Sequence, residues 1–414
     1  MFMYNCDREF VMKKKYHLYS SMPMLGNHKS YAEIDIGALK HNYRKIKDII
    51  SQSSKNTAVM CVLKADAYGH GAKNCCLALL EEGCRFFGVS SIEEAIDIRN
   101  VCNAVKSDAE ILLLGYTLPS QAALLAEYKI TASLIDPDFA RELAKEAEKA
   151  KVKIRAHIKL DTGMNRIGFA AKTDEDISKT VSQIVEISKC KNIDICGMFT
   201  HFSKADEDIE DFSPHSFTTL QAERFQKTDK ALLDAGIDVK FRHVCNSAAT
   251  MGFPEYHFDA CRVGITLYGT HSSRTVDKYG LLPVMKLCTV IAHKHTLSAG
   301  DSVSYGGIYT AEEDRTVAVI PIGYADGFIR RYTGATVTVL TKNGARTATV
   351  VGRVCMDQCM IDVTDIDAEV GDKVIIFGNS ADELTKLAKM ADTIEYECIC
   401  LITSRVPRIV TGNT

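Results

Sequence analysis

Over roughly the first two thirds of the chain, short apolar runs alternate with longer stretches in which apolar residues recur at helical spacing. The first clear stretch of this kind predicts a helix over Ile36–Ile50, with Leu39, Tyr43, Ile46 and Ile50 on one face. An extended segment, Tyr31–Asp35, leads into it. The next run, Val59–Leu63, reads as a buried strand of the parallel-sheet kind and ends on a lysine, Lys64. The chain then turns through Ala65–Gly71, where Gly69 and Gly71 permit conformations closed to other residues, before a helix over Ala72–Glu82. The rhythm continues with strands at Phe86–Ser90, Ile111–Gly115, Thr131–Ile135, Lys153–Lys159, Ile195–Phe202 and Phe241–Cys245. Helices at Ile92–Val101, Ser120–Tyr128, Pro137–Ala150, Asp174–Lys189 and Phe217–Ala235 separate them, and a last apolar segment covers Ala260–Tyr268. About eight strand-helix units in this length have the period of a (β/α)8 barrel.

Beyond about Gly280 the pattern changes. Val290–Leu297, Thr316–Ile320, Ala335–Leu340, Thr347–Val351, Met360–Val363 and Lys373–Phe377 are short runs rich in β-branched residues, divided by Gly/Asp/Asn turns such as Lys342-Asn343-Gly344. The fold class expected is therefore α/β, an N-terminal (β/α)8 TIM-type barrel with a C-terminal all-β domain. The boundaries read as a disordered extension over 1–29, a barrel over 30–280 and a β-domain over 281–414.

Composition narrows the function classes. The chain has 414 residues, of which 46% are hydrophobic, enough for two cores. A net charge of −3 gives no broad field for nucleic acid or anionic membrane. The 15 cysteines are scattered, often within apolar runs, with no Cys-x-x-Cys pair. They read as reduced core thiols in a cytoplasmic protein, and no metal site is expected. The basic patch Met12–Lys15 is followed by no apolar segment, and no stretch has the length of a membrane span.

Candidate chemistry follows from topology, because the loops at the C-terminal strand ends of such a barrel converge on one mouth. Those ends carry Lys64, the run from Lys159 to Arg166, Thr200-His201-Phe202, Asn246-Ser247-Ala248 and Arg262-Val263-Gly264-Ile265. Lys64 alone fits either a lysine snorkelling from a strand end or an amine of lowered pKa able to form a Schiff base. His201 and Ser247 alone fit a rim histidine and a helix cap. Five polar or cationic groups at one topological level favour chemistry. An amine beside Ser247 and the Gly264 and Ile265 amides suggests a phosphate-bearing aldehyde, pyridoxal 5'-phosphate (PLP), with Arg262 the residue available to its ring nitrogen.

The segments VLKADAYGHGA, HIKLDTGMNRIGF, MFTHFSKAD, NSAAT, CRVGITLYG, SVSYGGIY, IPIGYADGF and GRVCMDQCMIDVT resemble those of the alanine racemase family, in unbroken order from about Tyr31 to Arg408. That resemblance implies a PLP-dependent isomerase that interconverts L- and D-alanine, supplying D-alanine for peptidoglycan, and works as a homodimer with shared active sites. It implies that Lys64 carries the cofactor and is one base, with Tyr305 of a second subunit the other. Arg262 would face the pyridine nitrogen with His201 behind it, and Tyr68, Ser247, Gly264 and Ile265 would hold the phosphate. Arg166 would contact the phenolic oxygen and the substrate. Lys159 matches a lysine open to carbamylation, which would make it an anion that orients Arg166. Met356, Asp357 and Tyr324 would line the substrate site. Removing the Cα proton on one face and returning it on the other calls for two bases, which suits these roles.

Two alternatives stay open. Some relatives have a tyrosine where Ser404 precedes Arg405-Val406-Pro407-Arg408, and the smaller residue leaves room for serine or broader racemase activity. A PLP decarboxylase of the same architecture would place a glutamate where Arg262 stands. A cofactor carrier without turnover would lack the β-domain.

Overall fold

The computed structural model describes residues 28–211, 215–270 and 279–412, so most of the extension expected over 1–29 lies outside the described residues. Eight parallel strands run Ala58–Val62, Phe86–Val89, Glu110–Leu113, Ile130–Leu134, Ile154–Asp161, Ile193–Phe199, Arg242–His243 and Ala260–Val263. Each of the first four pairs with the next, Ile154–Asp161 with Ile193–Phe199, and that strand with Arg242–His243; Ala260–Val263 returns to pair with Ala58–Val62. The remaining gap is bridged by Asp259 N to Arg242 O at 3.0 Å and Arg262 N to Cys245 O at 3.1 Å, which closes the barrel. Apolar side chains such as Phe87, Ile111, Ala132 and Ile158 are wholly buried, as strands covered on both faces require.

The helices between the strands form where spacing and caps agree. Pro137–Lys149 starts on Asp136, whose carboxylate accepts from Phe139 N, with proline in its first turn; Ile92–Ala104 starts on a Ser91/Glu94 capping box.

The second sheet has nine strands, and most of its pairs are antiparallel. Lys373–Phe377 keeps the bounds read from the sequence. The run read as a single strand over Val290–Leu297 is two, Met285–Val290 and His293–Leu297. Two helices, Ala381–Ala391 and Glu395–Cys400, accompany this sheet.

The strand Ser30–Asp35, ahead of the barrel strands, pairs in the second sheet. Ser30–Asp35 lies between Met285–Val290, which it pairs antiparallel, and Arg408–Thr411, which it pairs parallel. Its apolar and polar positions would suit either sheet, and the choice is made by partners far along the chain. Asp35 then caps the helix Ile36–Ser53 through Ala38 N at 2.9 Å, so the crossing between the domains is also a helix start.

A second fastener is Arg408. Its guanidinium donates to Gly69 O at 2.8 Å, in the turn after Lys64, and to Ile402 O, Thr403 O and Val406 O within the β-domain. Replacing it by Met leaves these half-buried carbonyls without their donor. Arg408→Met is expected to lower unfolding free energy by about 2–3 kcal/mol, read from the denaturant midpoint. An unchanged midpoint would show that solvent substitutes fully for the guanidinium.

Candidate active site

The strand Ala58–Val62 delivers Lys64 into the barrel mouth, and the chain then does something its residue types do not advertise. Ala65, Asp66, Ala67 and Tyr68 all have left-handed backbones, with φ of 52°, 53°, 57° and 54°. Such a turn costs about 1–2 kcal/mol per non-glycine residue. It is held by Ala67 N to Leu63 O and Gly69 N to Ala65 O, both 2.9 Å, by Glu94 Oε1 accepting from Ala65 N, and by Asp66 Oδ1 accepting from Ala72 N. The result places Lys64 and Tyr68 on one cavity, with Lys64 Nζ 5.9 Å from the Tyr68 ring centre.

That cavity, about 400 Å³, is lined by Lys64, Tyr68, Lys159, Arg166, His201, Ser247, Arg262, Gly264 and Ile265, the barrel residues expected from the sequence. Ser247 begins the short helix Ser247–Gly252, and its Oγ accepts from Gly264 N at 2.9 Å. Gly264 is required by space. A Cβ there would lie 2.4 Å from Tyr68 Oη, so only a bare backbone lets the phenol, the Ser247 hydroxyl and the Gly264 amide converge.

Arg262 is buried at the floor, and among the described residues no carboxylate holds it. Its Nη1 donates to His243 Nδ1 and His243 O, both at 2.8 Å; its Nη2 donates to Thr200 O and Val244 O, and reaches His201 Nδ1 at 3.4 Å. Because His243 Nδ1 accepts from Arg262, its Nε2 carries the proton and donates to His157 Nδ1 at 3.0 Å. Phe199 stacks on His243 with ring centres 4.8 Å apart. Burial lowers the Arg262 guanidinium to about 10.

The other cations feel the same pressure. Burial, then the Arg262 and Arg166 charges, pushes Lys159 down to about 7, and its Nζ donates to Leu160 O at 3.2 Å. Burial, then Arg166, lowers Lys64. His201 is driven well below the usual imidazole value by burial and by Arg262 and Lys159. Both lysines are thus shifted toward the neutral amine, Lys159 the further of the two.

The β-domain candidates are elsewhere. Tyr305, Tyr324, Met356 and Asp357 do not line this cavity, and the first three are exposed, Tyr305 by 68%. Tyr324, Met356 and Asp357 form a second cluster: Tyr324 N donates to Cys355 O, Ala325 N to Met356 O, and Arg405 joins Asp357 at 2.7 Å and Asp326 at 3.4 Å, while Ser304, next to Tyr305 in the chain, lies 3.3 Å from Cys355 Sγ. Ser404 is exposed and is not on the cavity wall either, so the chain's own pocket gives it no part in substrate size.

Sequence reasoning missed Ile394 and Tyr396, which the β-domain lends to the cavity, the Tyr396 ring 6.1 Å from that of Tyr68. Nothing in their local pattern separates them from an ordinary helix start. It also gave no role to His157 and His243; the signal available was a histidine in each of two otherwise strand-like runs, on strands that flank Ile193–Phe199.

Fold and mouth define a two-domain barrel enzyme built around buried cations. Residues 34–272 match the alanine racemase N-terminal domain and residues 284–410 the alanine racemase C-terminal domain. The chain is 39% identical over 391 residues to alanine racemase 1 of Clostridium acetobutylicum, covering 92% of this chain and 95% of that one. The structure of the alanine racemase of Clostridium difficile 630 superposes with a TM-score of 0.84 at 36% identity, over 94% and 97% of the two chains. That of the D-cycloserine-producing Streptomyces lavendulae does so with 0.83 at 31% identity, over 94% and 99%. The chain belongs to the alanine racemase family.

The buried histidines carry a pH signature. Burial lowers His70 to about 4 and His157 to about 3. Between those values and about 6.5 the unfolded chain binds protons that the folded chain refuses, so folding stability falls as pH drops through that window. His70 Nδ1 hydrogen-bonds to Ala67 O at 2.9 Å and lies 3.0 Å from Tyr68 O. His70→Asn, which keeps a donor for this turn, is expected to flatten the fall in thermal midpoint between pH 6.5 and 4. An identical pH profile would contradict the assignment.

Proposed function

We propose that this enzyme racemises alanine, using PLP held in the barrel cavity and a second subunit to complete the site. The observation that carries the reading is one cavity that joins an amine of lowered pKa, Lys64, to the Tyr68 phenol, the Ser247 hydroxyl, the Gly264 and Ile265 positions and the buried Arg262. The donor set suits a phosphorylated aldehyde. Tyr68, Ser247, Gly264 and Ile265 would hold the phosphate, and Lys64 would bond to the aldehyde carbon. When bound, this group acidifies the Cα–H of an amino acid attached to it.

The chain's own residues supply the rest. Lys64, whose pKa burial and the Arg166 charge lower, would take or return the Cα proton on one face. The partner subunit's Tyr305 does so on the other, since the exposed Tyr305 of the same chain does not line the cavity. Met356, Asp357 and Tyr324, clustered near Tyr305, would reach the substrate with it, so a homodimer with shared sites follows. Arg262 has only donors to offer and, among the described residues, no carboxylate hydrogen-bonded to it; facing the ring nitrogen it would leave that nitrogen unprotonated and so would restrain electron withdrawal, which suits reprotonation at Cα. This separates the reading from a decarboxylase, for which a glutamate is expected at that position. Arg166 lines the cavity and, with a carbamylated Lys159, would be held toward the substrate.

The barrel would comprise 36–280 and the β-domain 281–414 with 30–35. Buried free thiols, such as Cys61, Cys75 and Cys76, support the reducing, cytoplasmic setting expected for a supplier of peptidoglycan D-alanine. Among the described residues no helix is long and apolar enough to cross a membrane.

Purified protein supplied with PLP is expected to convert L-alanine to an equal mixture of enantiomers in a chiral assay, faster than L-serine. It should also show a visible cofactor band that borohydride reduction fixes to the Lys64 peptide. Lys64→Ala should lose the label and reduce turnover by at least about 10²–10⁴-fold. A labelled peptide elsewhere, or no alanine racemisation by the labelled protein, would overturn the reading. For Lys159, 13C bicarbonate is expected to give a carbamate NMR signal that Lys159→Ala abolishes; an equal signal in the variant would refute that assignment.

A further inference from the structure

The residue before Tyr305 is strained. Ser304 has φ 66° and ψ −173°, a region that glycine occupies freely and side-chain-bearing residues avoid. A strained backbone persists only where its surroundings determine it, and here they can be named. The Ser304 hydroxyl donates to Arg353 O at 2.7 Å and lies 3.3 Å from Cys355 Sγ. On either side, Ser302 and Val303 pair with Thr310 and Tyr309, so the turn closes on itself. It is seated without spare room: a Cβ on Gly352 would lie 2.7 Å from Val303 O and 3.0 Å from Ser304 Cβ.

The hydroxyl's contacts are in the loop that leads to the other β-domain candidates. Cys355 O and Met356 O accept from Tyr324 N and Ala325 N, and Asp357 follows in sequence. One serine thus fastens the turn carrying Tyr305 to the segment carrying Met356, Asp357 and Tyr324. From this geometry we infer that Ser304 is a positioning residue, whose hydroxyl holds a backbone twist that aims the Tyr305 phenol away from its own chain. Without the hydroxyl, a residue with a Cβ returns toward negative φ and turns the phenol out of register with the opposing site. Glycine at the same position has no such drive.

The inference rests on the two-base reading above, and the test separates the two. Holoenzyme carrying Ser304→Ala, Ser304→Gly or Tyr305→Phe is compared with wild type using alanine with hydrogen or deuterium at Cα, each enantiomer in turn. A fault in one base raises the isotope effect for the enantiomer that base deprotonates and leaves the other nearly unchanged, which loss of general stability does not do. Ser304→Ala is expected to lower turnover by about 10–100-fold with the one-sided rise, on the enantiomer that Tyr305→Phe also affects. Ser304→Gly is expected to show the same one-sided rise with a smaller loss, and keeps the test available where the alanine variant does not fold. Wild-type isotope effects in both serine variants beside a defective Tyr305→Phe would overturn the positioning role alone. An unaltered Tyr305→Phe would overturn the two-base reading, and the positioning role with it.

Discussion

Positive charge that is buried without its counterion is the constraint on which this structure turns. Lys159 and Arg262 are buried on one cavity that the half-buried Lys64 and the exposed Arg166 also line, and among the described residues Asp206 is the only carboxylate on its wall. Desolvation of such groups is expensive, and proteins normally meet it by pairing. Here Arg262 is satisfied by carbonyls and a neutral histidine instead. The lysines respond with lowered pKa values. The same pressure favours anions at this mouth and lowers the affinity of its amines for protons.

The fold serves to keep those cations in place. Barrel strand ends set the positions of Lys64, Lys159, His201 and Arg262, and the left-handed turn from Ala65 to Tyr68 brings the phenol back over the same cavity. That turn is costly, and the β-domain helps to hold it: Arg408 grips the carbonyl of Gly69. The two domains are further joined by Ser30–Asp35, which enters the second sheet before the barrel begins. Stability of the site and attachment of the domains are therefore one problem.

How much of this the sequence made legible depends on the range of the interactions involved. Strands such as Phe86–Val89 and Lys373–Phe377 announce themselves by local pattern, and so do the barrel-end residues once the strand count is known. The left-handed turn does not, because alanine and tyrosine have no preference for that conformation; hydrogen bonds to Glu94 and from Arg408 hold it. Neither the sheet that Ser30–Asp35 joins nor the arrival of Tyr396 at the mouth could be read locally, since each is decided by residues hundreds of positions away. The Arg262–His243–His157 chain was hidden for a related reason: two histidines in separate strands become neighbours only when the barrel closes.

What remains is a division of labour. The barrel cluster holds an amine and an anion site; the exposed β-domain cluster holds a phenol and an Arg405–Asp357 pair, and does not touch that cavity. Neither is a complete racemase site, and the account's central claim is that two chains make each one. Mixing subunits of Lys64→Ala with subunits of Tyr305→Ala, under conditions that exchange them, tests it directly. Shared sites predict that two inactive proteins regain about a quarter of wild-type activity, because random pairing makes about half the dimers mixed and each mixed dimer has one intact site. Activity that stays at the level of the separate variants after verified exchange would contradict it.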